Sequence, residues 1–318
     1  MNDSLDAHFS SVIKAITDGR VVPFFGAGVN LVGRPEGVQW QHGQYLPSGG
    51  ELAAYLAKNF GYPDQDKSDL VRVSQYIAVM DGSGPLYEEL RKLFDADYPS
   101  TPLHQFFARL PSILQNKGYP PRHQLIVTTN YDDVMERAFR EANEPFDLVT
   151  FIAGGEHRGK FLHTPFESDQ TILIEKTNEY RGLSLDQRSI ILKIHGAIDR
   201  FDPDGDSYVI TEDDYIDYLT RTEVNGLVPA TLLAKMKKSN FLFLGYGLRD
   251  WNLRVILHRI GGGQKLTYKS WAIQLDPSEI EKQFWYKRDV DIIGISLEDY
   301  IAKLTERIQL LPSLGGQP

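Results

Sequence analysis

The chain has 318 residues, 42% apolar and 24% charged, with a net charge of −9 and no cysteine. The missing cysteine excludes disulfides, thiolate zinc sites and cysteine nucleophiles, and the acidic balance, with no basic block, gives no indication of nucleic-acid binding. No apolar run reaches the length of a membrane span, and the acid-bearing start MNDSLDAHFSSVIKAI lacks a signal-peptide pattern, so the expected location is cytoplasmic.

Strand-sized apolar runs rich in β-branched and aromatic residues punctuate the chain. The first, Val21–Phe25, runs into Gly26-Ala27-Gly28. Between residues 48 and 114 the pattern is helical only, with amphipathic runs at 50–60, 70–80, 86–94 and 102–110. This stretch reads as a helical subdomain inserted into a single domain spanning 1–318. Strands return at 125–129 and 147–152, separated by an acid-led helix at 132–142 with apolar positions Val134, Met135, Ala138 and Phe139. Residues 153–188 are polar and glycine-bearing and are expected to form loops with short strands, one at 171–174. Strands at 190–194, 241–244, 271–275 and 290–295 follow, with helices at 250–260 and 297–311. Continuous apolarity, rather than alternation, suits strands buried on both faces. The strand–helix alternation predicts an α/β fold: a Rossmann-like doubly wound parallel sheet with the helical insertion and no zinc module.

At four places a buried strand stops abruptly at small or polar residues, and in open α/β sheets ligands bind at that edge. Gly26 and Gly28 would let backbone approach a pyrophosphate; a tight turn without ligand explains them equally. The full dinucleotide fingerprint is broken, because Leu31 stands where its third glycine belongs. Thr128-Thr129-Asn130-Tyr131-Asp132 gathers hydrogen-bonding groups at the second strand end. The competing reading there is helix capping by Asn130 or Asp132. His195, followed by Gly196, ends the third strand and suits proton transfer near neutral pH or a structural hydrogen bond. Gly245 and Gly247 end the fourth, with Asp250 expected to cap the helix beginning at Trp251.

Taken together and in this order, these segments resemble the sirtuin family, specifically its bacterial NAD-hydrolase branch. The matching residues are Gly26-Ala27-Gly28, Thr128-Thr129-Asn130-Tyr131-Asp132, His195-Gly196 and Gly245-Tyr246-Gly247, and Tyr208–Tyr215 (YVITEDDY) also looks like that branch. The resemblance implies NAD as substrate and no metal. It implies Asn130 as the group positioning water or the nicotinamide ribose, His195 as general base or ribose contact, and Asp132 as support for the nicotinamide end. It assigns Gly26, Ala27, Gly28, Asn30, Thr128, Gly245, Gly247 and Gln274 to NAD binding, with Gln274 reaching the adenine ribose. Where deacylating sirtuins carry a serine and a Gly-Ile-Pro-Asp-Phe loop, this chain has Asn30 and an unrelated stretch to Pro47. That departure, and the missing cysteine module, tilt the expectation from deacylation toward hydrolysis of NAD to nicotinamide and ADP-ribose. The resemblance further implies a role in antiviral defence, a homo-oligomer and pairing with a HerA-type ATPase. Against the enzyme stand a non-catalytic NAD or ADP-ribose sensor, a protein deacylase and a nuclease; a pure sensor needs no Asn130–His195 pair, and no metal-ligand cluster supports a nuclease.

Overall fold

The computed structural model describes residues 2–168, 170–220, 228–247, 251–261 and 267–314. Its centre is a nine-stranded sheet. In chain order the strands are β1 (Val21–Phe25), β2 (Leu125–Thr128), β3 (Phe146–Phe151), β4 (Phe161–Thr164), β5 (Ile172–Ile174), β6 (Ser189–Lys193), β9 (Asn240–Leu244), β10 (Ser270–Gln274) and β11 (Val290–Gly294). Two short strands, β7 (Gly196–Ala197) and β8 (Ser207–Tyr208), pair separately. The spatial order is β11-β10-β9-β1-β2-β6-β3-β4-β5, parallel from β11 to β3 and antiparallel at the β4–β5 edge. The architecture is therefore Rossmann-like, with a mixed edge built from the segment expected to hold loops and short strands.

Both sheet faces are covered, which is why the strands read as unbroken apolar runs. Val22, Phe24, Leu125, Val127, Ile190, Leu192, Phe241 and Phe243 pack on one face. They meet helices α7 (Glu212–Thr220), α8 (Ala230–Lys237) and α9 (Trp251–Ile260), and Trp285 of α10 (Glu279–Tyr286). Their neighbours Val21, Phe25, Ile126, Ile191, Leu242 and Leu244 point the other way. These meet α1 (Asn2–Thr17), α5 (Pro102–Asn116), α6 (Val134–Glu141) and α11 (Leu297–Gln309). Side chains alternate between two apolar layers, so period-2 polarity never develops.

The helical run between β1 and β2 divides in its packing. Helices α2 (Gly49–Asn59), α3 (Leu70–Met80) and α4 (Ser83–Phe94) surround a cluster of their own, including Leu52, Leu56, Val73, Ile77, Leu86 and Leu90. Tyr131, Val134, Ile198, Tyr208 and Ile210 join that cluster from the sheet edge. Helix α5 instead lies in the sheet's second layer through Leu103, Phe106, Phe107, Leu110 and Leu114. Ser48 starts α2 with a capping box to Glu51, and Ser278 starts α10 likewise with Glu281. Among the described residues no helix is long and apolar enough to cross a membrane.

Helix α5 passes through Pro111, where the sequence reading ends it at residue 110. A proline leaves the carbonyl four residues earlier without its helical donor. That carbonyl belongs to Phe107, and the buried Gln124 side chain donates Nε2–H to it at 2.8 Å. The missing hydrogen bond is supplied from outside the helix, and the helix continues. Gln124→Met should therefore destabilise the protein by about 1–3 kcal/mol, the cost of an unpaired buried carbonyl. Adding Pro111→Ala should recover part of that loss by restoring the internal N–H. Denaturant unfolding of the single and double variants checks this, and equal stability of Gln124→Met and wild type would disprove it.

Candidate active site

The four strand ends singled out in the sequence lie in one row. Phe25 is in register with both Thr128 and Leu244, and Thr128 with Lys193. Each chain then leaves the sheet at the same height, and a cavity of about 1150 Å³ opens above the row. Its lining includes Gly26, Ala27, Gly28, Asn30, Asn130, Asp132, His195, Gly245 and Gly247. The structure thus gathers nine of the expected site residues around one space.

The two glycine turns are shaped by each other. Gly28 donates its backbone N–H to the Gly245 carbonyl at 2.9 Å, and Gly26 donates to Leu244 at 3.0 Å. A Cβ on Gly28 would sit 2.8 Å from Gly245 Cα, and one on Gly26 2.7 Å from the Gly245 oxygen. Gly245 itself has φ +65°, and a Cβ there would come 2.2 Å from the Val29 nitrogen. Backbone packing against backbone accounts for these three glycines before any ligand is considered. Gly247 differs: no described residue lies within 4 Å of its would-be Cβ.

Asn130 is held from two sides. Its backbone N–H goes to Thr128 Oγ1 at 3.0 Å, and its side-chain Nδ2–H to the Gly26 carbonyl at 3.3 Å. Neither Asn130 nor Asp132 is the N-cap of α6: that position is Asp133, which makes no side-chain cap bond, while Asp132 Oδ1, one residue earlier, accepts the Val134 N–H at 3.1 Å. Asp132 Oδ2 accepts from Asn30 Nδ2 at 3.1 Å. Asn30 Oδ1 is buried with no hydrogen-bond partner among the described residues. Thr128 does not line the cavity; it is buried behind Asn130, with Oγ1 also directed at the Phe25 carbonyl.

His195 is 2% exposed although it lines the cavity. Its ring meets Tyr215 and Tyr218 edge-on, with centroids 5.2 and 5.8 Å away. Nδ1 lies 3.5 Å from the Tyr215 hydroxyl, and Nε2 is buried without a partner among the described residues. Burial disfavours the imidazolium and lowers the pKa to about 3. His195 is consequently neutral at physiological pH.

Gln274, at the end of β10, lines a second cavity of about 560 Å³. Gly28, Gly245, Tyr246 and Gly247 line both spaces, so the locked glycine turns form a shared wall. Asp250 lies outside the described residues. Arg72 and Ser48–Gly50, at the start of α2, line the cavity and escaped the sequence reading; Thr129 and Tyr246 stood in the matching motifs without an assigned role. Glu212 and Tyr215 also line the cavity, within the Tyr208–Tyr215 segment that the motif comparison picked out. Among the described residues no group of three or more His, Cys, Asp or Glu side chains is arranged to hold a metal ion.

The glycine geometry separates two substitutions. Gly245→Ala should destabilise the protein by about 2–5 kcal/mol, from a left-handed backbone plus overlap with Val29. Gly247→Ala, whose Cβ would meet no described residue, should melt within about 2 °C of wild type. Calorimetry of the pair decides this, and similar melting temperatures would mean that the turns give way.

Residues 124–293 match the family model described as a SIR2-like domain. The chain is 24% identical over 287 residues to Defense-associated sirtuin 2 of Bacillus subtilis, covering 88% of this chain and 23% of that protein. It is 28% identical over 249 residues to NAD(+) hydrolase ThsA of Enterococcus faecium, covering 78% and 41%. With NAD(+) hydrolase ThsA of Bacillus cereus (strain MSX-D12) it shares 22% identity over 295 residues, covering 90% and 50%. The chain spans between about a quarter and a half of the length of these relatives. With the family match extending from β2 to β11, across the Asn130 and His195 strand ends, the chain belongs to the SIR2-like domain family.

Proposed function

We propose that this chain hydrolyses NAD at the nicotinamide–ribose bond, releasing nicotinamide and ADP-ribose. The observation that carries the reading is the convergence of Asn130 and His195 on one cavity, above a row of strand ends bounded by the glycine turns. The names of the relatives, hydrolases of NAD and a defence-associated sirtuin, agree with it.

The chemistry asks little of the protein in proton transfer. Nicotinamide bonded to ribose is already cationic and leaves as a neutral base, so it needs no acid. The protein must hold the ribose, keep bulk water out and place one water against the anomeric carbon. Asn130, with its amide fixed by the Gly26 carbonyl, is the group for orienting that water or a ribose hydroxyl. His195, neutral and with Nε2 unpartnered, serves as a hydrogen-bonding partner for the ribose rather than as a base. Asp132 and Glu212 line the same space, and their charge favours a ribose on which positive charge develops. The shared glycine wall and Gln274 would carry the pyrophosphate and adenosine side. Depletion of NAD as a defence response, assembly into a homo-oligomer and pairing with a HerA-type ATPase extend the proposal on the resemblance alone.

Purified protein incubated with NAD, alone and with candidate partners, should yield nicotinamide and ADP-ribose on chromatography. Asn130→Ala and His195→Ala should each lower the rate by a factor on the order of 10² or more while the protein remains folded. Wild-type turnover in a folded Asn130→Ala variant would remove that residue from the site.

The protonation state of His195 supplies a separate check. A pKa near 3 keeps the imidazole neutral at every pH above that value, so kcat/KM should show no histidine inflection between roughly pH 5.5 and 8. An inflection near pH 6–7 that vanishes in His195→Gln would make the residue a base instead.

A further inference from the structure

Lys193 ends β6 and is 1% exposed, with its ammonium in the interior. It donates to the backbone carbonyl of Asp132 and to Glu136 Oε1, the latter at 2.7 Å. Glu136, in α6, is buried too, and burial holds its carboxyl above the usual range even beside the lysine. Its second oxygen has no hydrogen-bond partner among the described residues. Such a pair is a poor device for stability, because apolar side chains of similar volume fill such a place as well or better. What an apolar side chain lacks is a grip on the Asp132 carbonyl.

That grip joins the two halves of the candidate site. His195 stands two residues beyond Lys193, and Asp132 two residues beyond Asn130. Asp132 in turn holds Asn30 through Oδ2 and the first turn of α6 through Oδ1. Lys193 does not line the cavity, so its influence passes through the loop. We propose that Lys193, held in place by Glu136, is a positioning residue that fixes the 129–133 loop, and with it Asn130, relative to His195. The kinetic consequence rests on the hydrolase reading; the fixing of the loop does not.

The test replaces the pair by apolar groups in Lys193→Met/Glu136→Leu and reads loop and chemistry separately. Amide hydrogen exchange in residues 129–133 should accelerate by about tenfold or more while β2 and β6 keep their protection. The kcat for NAD should fall by about tenfold or more, with KM changed less than about threefold. The conservative Glu136→Gln leaves the lysine an acceptor and its bond to Asp132, and should keep slow loop exchange and kcat within about threefold of wild type. Lys193→Met alone, in which the carboxyl can take up a proton, gives the same readings should the double variant not fold. Wild-type loop exchange in a folded variant overturns the inference, and so does accelerated exchange with wild-type kcat. If the wild-type protein does not turn over NAD, the hydrolase reading fails and loop exchange alone decides the positioning role.

Discussion

The contact on which the site depends is made by backbone alone. Gly28 gives its N–H to the Gly245 carbonyl, and three glycines leave no room for a Cβ between the two turns. Because β1 and β9 run parallel and in register to their last residues, both turns emerge side by side. Their contact sends Ala27–Leu31 into a single 3₁₀ turn, and that turn delivers Asn30 to Asp132. It also forms the wall between the cavity holding Asn130 and His195 and the one holding Gln274. A dinucleotide reaching from one to the other must cross this wall, where a side chain would already have pushed the strands apart. The glycines thus serve packing first, and a ligand would use the surface that packing leaves.

Unpartnered polar atoms support the same location, but only in combination. A buried acceptor or donor left without a partner costs about 1–3 kcal/mol. Asn30 Oδ1 and His195 Nε2 are two such atoms, yet His8 Nδ1, Ser74 Oγ and Asn240 Oδ1 are orphaned in the same sense elsewhere. Orphan status alone marks nothing. His8 lines a separate cavity of about 570 Å³; what distinguishes the first pair is that both residues line one larger cavity together with Asn130, Asp132 and the glycine turns. The same burial that leaves His195 unpartnered removes its proton, which turns a residue often associated with acid–base work into a neutral hydrogen-bonding group.

Much of this was legible in the sequence because the relevant signals are local. Buried parallel strands announce themselves as apolar runs, and β1, β2, β6, β9, β10 and β11 each fall within a residue of the expected bounds. The strand ends carried the motif residues, so Asn130 and His195 could be named without coordinates. The remainder was set by contacts between residues distant in the chain. The continuation of α5 past Pro111 needs Gln124, which the periodicity of the helix does not contain. Asn130, one of two expected caps of α6, instead donates to the distant Gly26 carbonyl, and the N-cap position is Asp133, with Asp132 accepting from Val134. Thr128 stands in the motif but behind the cavity wall, because a residue ending a strand can face either way and spacing does not say which. The lining from Ser48–Gly50 and Arg72 carries no motif, since it reaches the site only when α2 and α3 fold over the sheet edge.

That folding-over couples the site to a second core. Tyr131 lies between Asn130 and Asp132 in sequence, yet its ring packs in the α2–α4 cluster against Phe94 and Tyr208. Its hydroxyl donates to the Val209 carbonyl at 2.7 Å, one residue beyond β8. Val209 in turn gives its N–H to the His195 carbonyl at 2.9 Å. The residue between two candidate site groups is therefore anchored in the helical cluster, and its anchor leads back to the third. The sheet alone fixes the height at which Asn130 and His195 leave it, but their lateral placement also depends on α2–α4 remaining packed. A chain folded only in its sheet would have the strand ends without the fixed distances between the groups they carry.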